Sequence, residues 1–517
     1  KKIGIHDNFF EIGGHSLLAA KLVWKIKEAI NKEVSLKDIF SYPTISELIK
    51  YPLKEASIEK VKRTELQPRK EKRKYPLTYA QKGIWFQDQI AKNKNVYNIT
   101  LPVEIKGNLK ISILEESITK LIERHETLRA TFINQRGLPV QLVSESYQFK
   151  FNVEHLVKND KEELVKKIHE EAFTEINLSE GPIFRANLLR ISEELHVLII
   201  TIHHIVSDTI SFKNLIDEIM TVYSNKIIGK SYKLPELNIQ YADFAAWQEE
   251  WINSELYNKQ LSYWENQLKE APSYLSFPIE LSRPAVQNFE GTAVQFKVSE
   301  DVSKKLRELA YKEGVTLYML FMAAWNTLLF CYTGQKDIVI GTSASGRNPD
   351  TERLIGLFIN TLPIRTKLAE DFTFLELLDN VKRTVLDAFS HQDVPFEVML
   401  NALKVERNTS RSPLCQVFLS YHISTKEIKH ETDLIFNPMP IKKQTVPYDI
   451  VVDVIDDLEN INGRFEYRTA LFSEKNIKNI INMYLELLNS IVKEPTAKIK
   501  EISCDVENSQ RKKNDHR

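Results

Sequence analysis

The sequence predicts an α/β protein: a small helical unit at the start, then a large mixed region in two comparable halves. Three observations predict it. After the glycine turn Gly13-Gly14, the residues Leu17, Leu18, Leu22, Ile26 and Ile30 recur at helical spacing. The apolar run Val197 to Ile202 reads as a buried strand, and Phe212, Leu215, Ile216 and Ile219 behind it read as one helix face. Farther along, Val302 to Tyr311 and Leu317 to Leu329 read as helices ahead of the strand Ile338 to Ile340.

A length of 517 residues is enough for two to four domains at roughly 150 residues each. The hydrophobic share of 43% and the charged share of 27% are those of a globular chain. Seventy basic and seventy acidic residues cancel, so no global field draws the chain to nucleic acid or to a membrane surface. No run of about 18 apolar residues and no signal peptide is present. Cys331, Cys415 and Cys504 are odd in number, widely spaced and free of any CxxC pair, which argues against a disulfide framework or a zinc site. Thiols in a reducing cytoplasm are the expectation. The chain opens at Lys1 without methionine and closes in a charged tail, so a piece of something longer is expected.

In order, residues 1–50 form the helical unit. Residues 51–74 read as a linker: Lys54 to Lys74 is charged and poor in large apolar residues. Its basic end is one short cluster on a neutral chain, with no wider basic face for nucleic acid. A first lobe is placed at 75–250. Leu114 to Leu128 reads as a helix, and Ile183 to Ile191 with His196 to Ile202 as paired strands. Residues 235 to 284 read as a looser, aromatic-rich crossing whose Tyr241, Phe244, Trp247, Trp251, Tyr263 and Trp264 serve core packing. A second lobe is placed at 251–503, with Phe374 to Phe389 as a further helix, and a tail at 504–517.

Two places carry chemistry. His203-His204-Ile205-Val206-Ser207-Asp208 ends the apolar strand at a strand–loop–helix junction, where a rigid frame presents side chains. The pair is open to three readings: structural histidines, metal ligands or a catalytic group. Adjacent histidines on an extended segment face opposite ways, and no HExxH or cysteine partner exists, which disfavours metal. Ser16 stands at the start of the first helix. A serine there serves as a plain N-cap. It also suits a phosphodiester, because a helix N-terminus favours an anion.

Asp7 to Leu17 matches the pattern DNFFxxGGHSL and resembles the attachment segment of a phosphopantetheine carrier domain, with Phe40 and Pro43-Thr44 resembling its later part. The resemblance implies a 4′-phosphopantetheine arm on Ser16, placed there by a phosphopantetheinyl transferase. The carrier's usual first helix would precede Lys1. Residues 75 to 500 resemble the condensation domain of nonribosomal peptide synthetases. The match runs through His203 to Asp208, Tyr241 to Trp247, Ile355 to Thr361 with Arg365, His391 to Glu397, and Arg407 to Leu414, in family order.

The resemblance implies two chloramphenicol-acetyltransferase-like lobes with a tunnel between them, reached by two carrier arms. It implies peptide-bond formation between a carrier-bound acyl or peptidyl thioester and the amine of a downstream aminoacyl thioester. His204 is then the group at the tunnel centre, as general base or as hydrogen-bond partner of the amine or the tetrahedral oxyanion; His203 is mainly structural, and Asp208 forms an ion pair with Arg347 of the loop Gly346-Arg347. The acceptor carrier and adenylation domains are the implied partners, and an L-configured donor is the expectation. Two positions depart from the family: Thr209 stands where HHxxxDG has glycine, and Gly83 where an early motif has arginine. If position 209 needs positive φ or close substrate approach, threonine is unfavourable there.

Rival readings are an epimerisation domain, which chiral analysis of the product separates, and a non-catalytic platform that recruits enzymes to the carrier, which Thr209 favours. A free acyltransferase using coenzyme A would leave the carrier segment without purpose.

Overall fold

The computed structural model describes residues 3–502, apart from 11, 13, 15, 31, 33, 56–65, 70–73, 91–93, 146, 148, 157–159, 407, 425–432 and 440–444. Parts of the attachment segment (Glu11, Gly13, His15), most of the linker, Arg407, Cys504 and the tail 504–517 lie outside the described residues.

The helical unit contains Ser16–Ile30, Leu36–Ser41, Ile45–Lys50 and a short turn Pro52–Glu55. Its two middle helices start at reciprocal caps. Ser35 accepts from the Asp38 N–H and Thr44 from the Glu47 N–H, and each acid returns the bond to the cap backbone. Leu36, Ile39 and Phe40 are buried, and the helix Leu36–Ser41 lies against Phe374–Ser390 of the second lobe.

The first lobe is built on a five-stranded sheet in the order Ile435–Pro438, Asn98–Lys106, Leu195–His203, Phe184–Arg190, Asn152–His155. Leu195–His203 is its central strand and is buried from His196 to His203. Apolar residues therefore run without alternation there, because both faces of the strand are covered. It pairs antiparallel with both neighbours, with Asn98 opposite His203. The helices Ile111–Arg124 and Thr209–Ile227 pack on each other. The helix expected over Leu114 to Leu128 ends at Arg124, since His125 takes an extended conformation and a 3₁₀ turn Glu126–Arg129 follows. A smaller sheet, Lys74–Pro76, Leu138–Val143 and Ala130–Gln135, completes the lobe.

The second lobe carries a six-stranded mixed sheet in the order Asn360–Lys367, Asp337–Ala344, Val417–Ile423, Ile450–Asp456, Ile461–Arg468, Gly291–Lys297. Its core helix Leu317–Thr333 is buried from Tyr318 to Phe330. Among the described residues no single helix is long and apolar enough to cross a membrane.

Two features blur a division at residue 250. The strand Ile435–Pro438 comes from the second half of the chain yet extends the first-lobe sheet. The supposedly loose crossing is two helices, Tyr241–Trp251 and Glu255–Leu268, a correction with a simple cause: the first starts at a reciprocal cap between Gln240 and Asp243, is buried on every face from Tyr241 to Trp247, and stacks Phe244 on Trp247 and Trp247 on Trp251. That aromatic row joins the second lobe's core, whereas Ile355 from the second half joins the first lobe's core.

Candidate functional site

The central strand ends at His203, a 3₁₀ turn His204–Val206 follows, and Asp208 then caps the helix Thr209–Ile227. Within one turn of chain, three side chains take different surroundings.

His203 is 0% exposed. Its Nδ1 accepts a hydrogen bond from the Ile205 N–H at 3.1 Å, so the neutral ring carries its proton on Nε2. Burial, and secondarily the neighbouring His204, push its pKa down to about 3. The ring is therefore neutral at physiological pH.

His204 is half-buried, and its Nδ1 donates to the Ser207 carbonyl at 2.7 Å. A carbonyl only accepts, so this bond puts the proton on Nδ1 and leaves the lone pair on Nε2. The turn that presents this ring is gripped from the helix Tyr79–Ile90, where Gln81 Nε2 donates to the Ile205 carbonyl at 3.1 Å. Both backbone groups of Ile205 are thus held, one by His203 and one by Gln81.

Asp208 faces away from the histidines. Its Oδ1 accepts from the Ser211 N–H at 2.7 Å and from Arg347 Nη2 at 3.0 Å, and its Oδ2 from the Phe358 N–H at 3.1 Å. Arg347 also donates to the carbonyls of Thr351 and Leu354 at 2.9 and 2.7 Å, and its guanidinium lies 4.1 Å above the Phe358 ring. Burial lowers the Arg347 pKa from its usual value, and the Asp208 carboxylate opposes that. Ser211 Oγ accepts from Arg347 at 2.7 Å and donates to the Gly356 carbonyl at 2.7 Å. The whole arrangement latches the first lobe's helix start to two loops of the second half.

Two glycines make the latch sterically possible. Gly346 has φ +61°, and an added Cβ would stand 2.0 Å from the Phe358 carbonyl oxygen. A Cβ on Gly356 would stand 1.9 Å from the Tyr241 ring, whose hydroxyl donates to the Leu357 carbonyl at 2.7 Å. A small cleft of about 60 Å³ lies beside the latch and is lined by Arg347, Phe358, Trp247 and Asn360 among others; neither His203 nor His204 lines it.

Thr209 does not have positive φ; it is the first residue of the helix and is exposed. The backbone strain considered for threonine at this position is absent. Gly83 lies within the helix Tyr79–Ile90, where an added Cβ would meet Glu397 Oε1 at 3.3 Å.

Of the residues singled out in the sequence, His203, His204, Asp208 and Arg347 meet at this one junction. Ser16 opens a helix in the separate N-terminal unit. Sequence reasoning missed the roles of Gln81, Ser211 and the Phe358 N–H. The stretch Thr78-Tyr79-Ala80-Gln81 ahead of the helix carries no local sign of this contact, and Ser211 and Phe358 gave none either, because their partners are distant in sequence. The remaining motif residues act as pins: Asn360 donates to the carbonyls of Gln392 and Val394, and Arg365 pairs with Asp337 at 2.6 Å. Among the described residues no group of three or more His, Cys, Asp or Glu is arranged to hold a metal. Neither Cys331 nor Cys415 takes part in a disulfide, and Cys415 is buried.

Two α/β lobes, the second lending a strand to the sheet of the first, with a histidine turn at their junction, define a chloramphenicol-acetyltransferase-like protein. The condensation-domain family profile matches residues 71–512, and the chain belongs to that family; a phosphopantetheine attachment-site profile matches residues 1–52. Such a site carries 4′-phosphopantetheine on a serine. The chain is 36% identical over 502 residues to a linear gramicidin synthase of Brevibacillus parabrevis, covering 96% of this chain and 10% of that protein. It thus spans about a tenth of the length of this relative. Among solved structures it is similar to the X-domain in its complex with OxyB from teicoplanin biosynthesis, with TM-score 0.78, 25% identity, and coverage of 85% of this chain and 98% of that one. It also resembles the four-domain nonribosomal peptide synthetase AB3403, with TM-score 0.74 and 22% identity, over 83% of this chain and 34% of that one. The chain is a carrier-plus-condensation segment of the nonribosomal peptide synthetase type.

Proposed function

We propose that this chain forms a peptide bond between a carrier-bound acyl or peptidyl thioester and the amine of a downstream carrier-bound aminoacyl thioester, with His204 handling the proton. The observation that carries this reading is the fixed tautomer of His204: the Ser207 carbonyl holds the Nδ1 proton, so a half-buried ring offers an Nε2 lone pair. As the C–N bond forms and the C–S bond breaks, the amine nitrogen must lose a proton and the departing sulfur must gain one. An imidazole, which can take a proton on one ring nitrogen while the other is held, suits both transfers. Holding the two reactants together supplies much of the remaining acceleration, up to about 7–11 kcal/mol in the best cases. In this reading His203 and Asp208 do not touch substrate; they and Arg347 hold the turn.

Ser16 is the attachment residue of this reading. It is the first residue of a 15-residue helix whose first turn contains no acidic side chain, and the free N–H groups there suit a phosphodiester. When bound, 4′-phosphopantetheine supplies a thiol for thioester linkage on a long tether. The order carrier then condensation supports a donor-side role for this carrier. The partners are a phosphopantetheinyl transferase, an acceptor carrier and adenylation domains.

The test is intact-mass analysis after loading Ser16 and an acceptor carrier with aminoacyl groups. Dipeptidyl acceptor should appear with the wild type and fall sharply with His204→Ala. Absence of product from the wild type would overturn the reading. A second reading has one observation in its favour: the likeness to an X-domain that was solved bound to OxyB. In that reading the domain recruits a partner enzyme to the carrier. Stable partner binding without dipeptide formation would select it.

A further inference from the structure

The helix Tyr79–Ile90 reaches the histidine turn at both of its ends. Near its start Gln81 holds the Ile205 carbonyl. Near its end Asp88, 2% exposed, directs Oδ1 to 3.9 Å from Nε2 of the fully buried His203. That separation is beyond a direct hydrogen bond, but in a low-dielectric interior a carboxylate at this range still attracts an N–H dipole. Tyr97 closes the same side: its ring centroid lies 6.0 Å from that of His203, and its hydroxyl donates to Gln87 on the same helix.

We infer that Asp88 is a positioning residue for peptide-bond formation: by facing Nε2 of His203 it fixes the tautomer whose Nδ1 accepts the Ile205 N–H, and so sets the turn on which His204 stands. The chain of contact runs Asp88 to His203 Nε2–H, His203 Nδ1 to the Ile205 N–H, and Ile205 to the adjoining His204. Were the proton to move to Nδ1, the Ile205 N–H would meet a donor instead of an acceptor. A buried N–H without a partner is unfavourable, so the turn would shift to recover one. The depressed pKa of His203 agrees with this picture, since a neutral ring has a tautomer to be chosen.

This inference rests on the reading of His204 as the proton-handling group, and its test separates the two. The full chain is loaded on Ser16 and mixed with a loaded acceptor carrier. Single-turnover rates are measured for the wild type, Asp88→Asn, His203→Gln, the double variant and His204→Ala, and histidine tautomers are read from ¹⁵N NMR. The expected result is a loss of roughly tenfold or more in the rate constant of Asp88→Asn, with the acceptor KM unchanged. His203 in the wild type should show its proton on Nε2, and that preference should weaken in Asp88→Asn. The double variant should be no slower than His203→Gln alone, because both act through one contact. An unchanged rate and tautomer in Asp88→Asn, or an additive loss in the double variant, overturns the inference. If Asp88→Asn does not fold, the wild-type spectrum decides: a proton on Nδ1 of His203 overturns it. A wild-type rate in His204→Ala instead removes the underlying reading and leaves the tautomer result standing.

Discussion

Arg347 Nη2 lies 3.0 Å from Asp208 Oδ1, and each of the two side chains is 4% exposed. The pair joins the cap of the helix Thr209–Ile227 to a loop 139 residues away. Removing one partner leaves a buried charge without compensation, which costs about 3–5 kcal/mol. Asp208→Ala should therefore lower the denaturation midpoint together with turnover. An unaltered melting temperature in that variant would mean the latch contributes nothing to the fold.

The buried histidine at the strand end gives a pH dependence of known sign. Its folded pKa is about 3, against an ordinary value near 6.5. Above about pH 6.5 both states are neutral and the full stability is present. As pH falls from there toward 3 only the unfolded chain takes up the proton, so stability drops by about 1.4 kcal/mol per pH unit. His125, 1% exposed and also depressed by burial, adds to the same trend. Urea titrations of the wild type and His203→Gln at pH 7 and pH 5 should show the variant losing roughly 2 kcal/mol less over that interval. Parallel losses in the two proteins would contradict the assignment.

Gly83 interrupts an otherwise ordinary helix, and glycine inside a helix costs about 1 kcal/mol relative to alanine. The nearest obstacle to a new Cβ is the carboxylate end of Glu397 at 3.3 Å, a flexible group that can yield a few tenths of an ångström. Gly83→Ala is expected to raise the denaturation midpoint, by up to about 1 kcal/mol. A fall would show that Glu397 is held too firmly to move.

Thr209→Gly is expected to leave stability unchanged or to lower it by a few tenths of a kcal/mol, since threonine already has a helical backbone there and glycine is a poorer helix former. A clear rise in melting temperature would reveal strain at Thr209 that its conformation does not show.

The family and the local elements were legible in the chain because their signals are local. The unbroken apolar run of the central strand, the helical spacing behind Phe212, and the motif His203 to Asp208 each lie within one stretch of chain, where side-chain period and turn chemistry act directly. The carrier segment Asp7 to Leu17 was legible for the same reason. The aromatic row Tyr241 to Trp251 reads as a loose crossing, because a helix buried on every face from Tyr241 to Trp247 shows no apolar stripe at helical period and aromatic density alone does not distinguish it from an irregular strap.

Tertiary structure alone decided the rest. The proton positions on His203 and His204 depend on where the Ile205 N–H and the Ser207 carbonyl fall once the turn has closed. The donation of Ile435–Pro438 to the first-lobe sheet depends on an edge left open by Asn98–Lys106, and nothing near residue 435 encodes that edge. The innocence of Thr209 follows from its φ, which the neighbouring cap at Asp208 imposes through the Ser211 N–H. The approach of Asp88 to His203 joins a helix and a strand more than a hundred residues apart, and it exists because both flanks of that strand are covered.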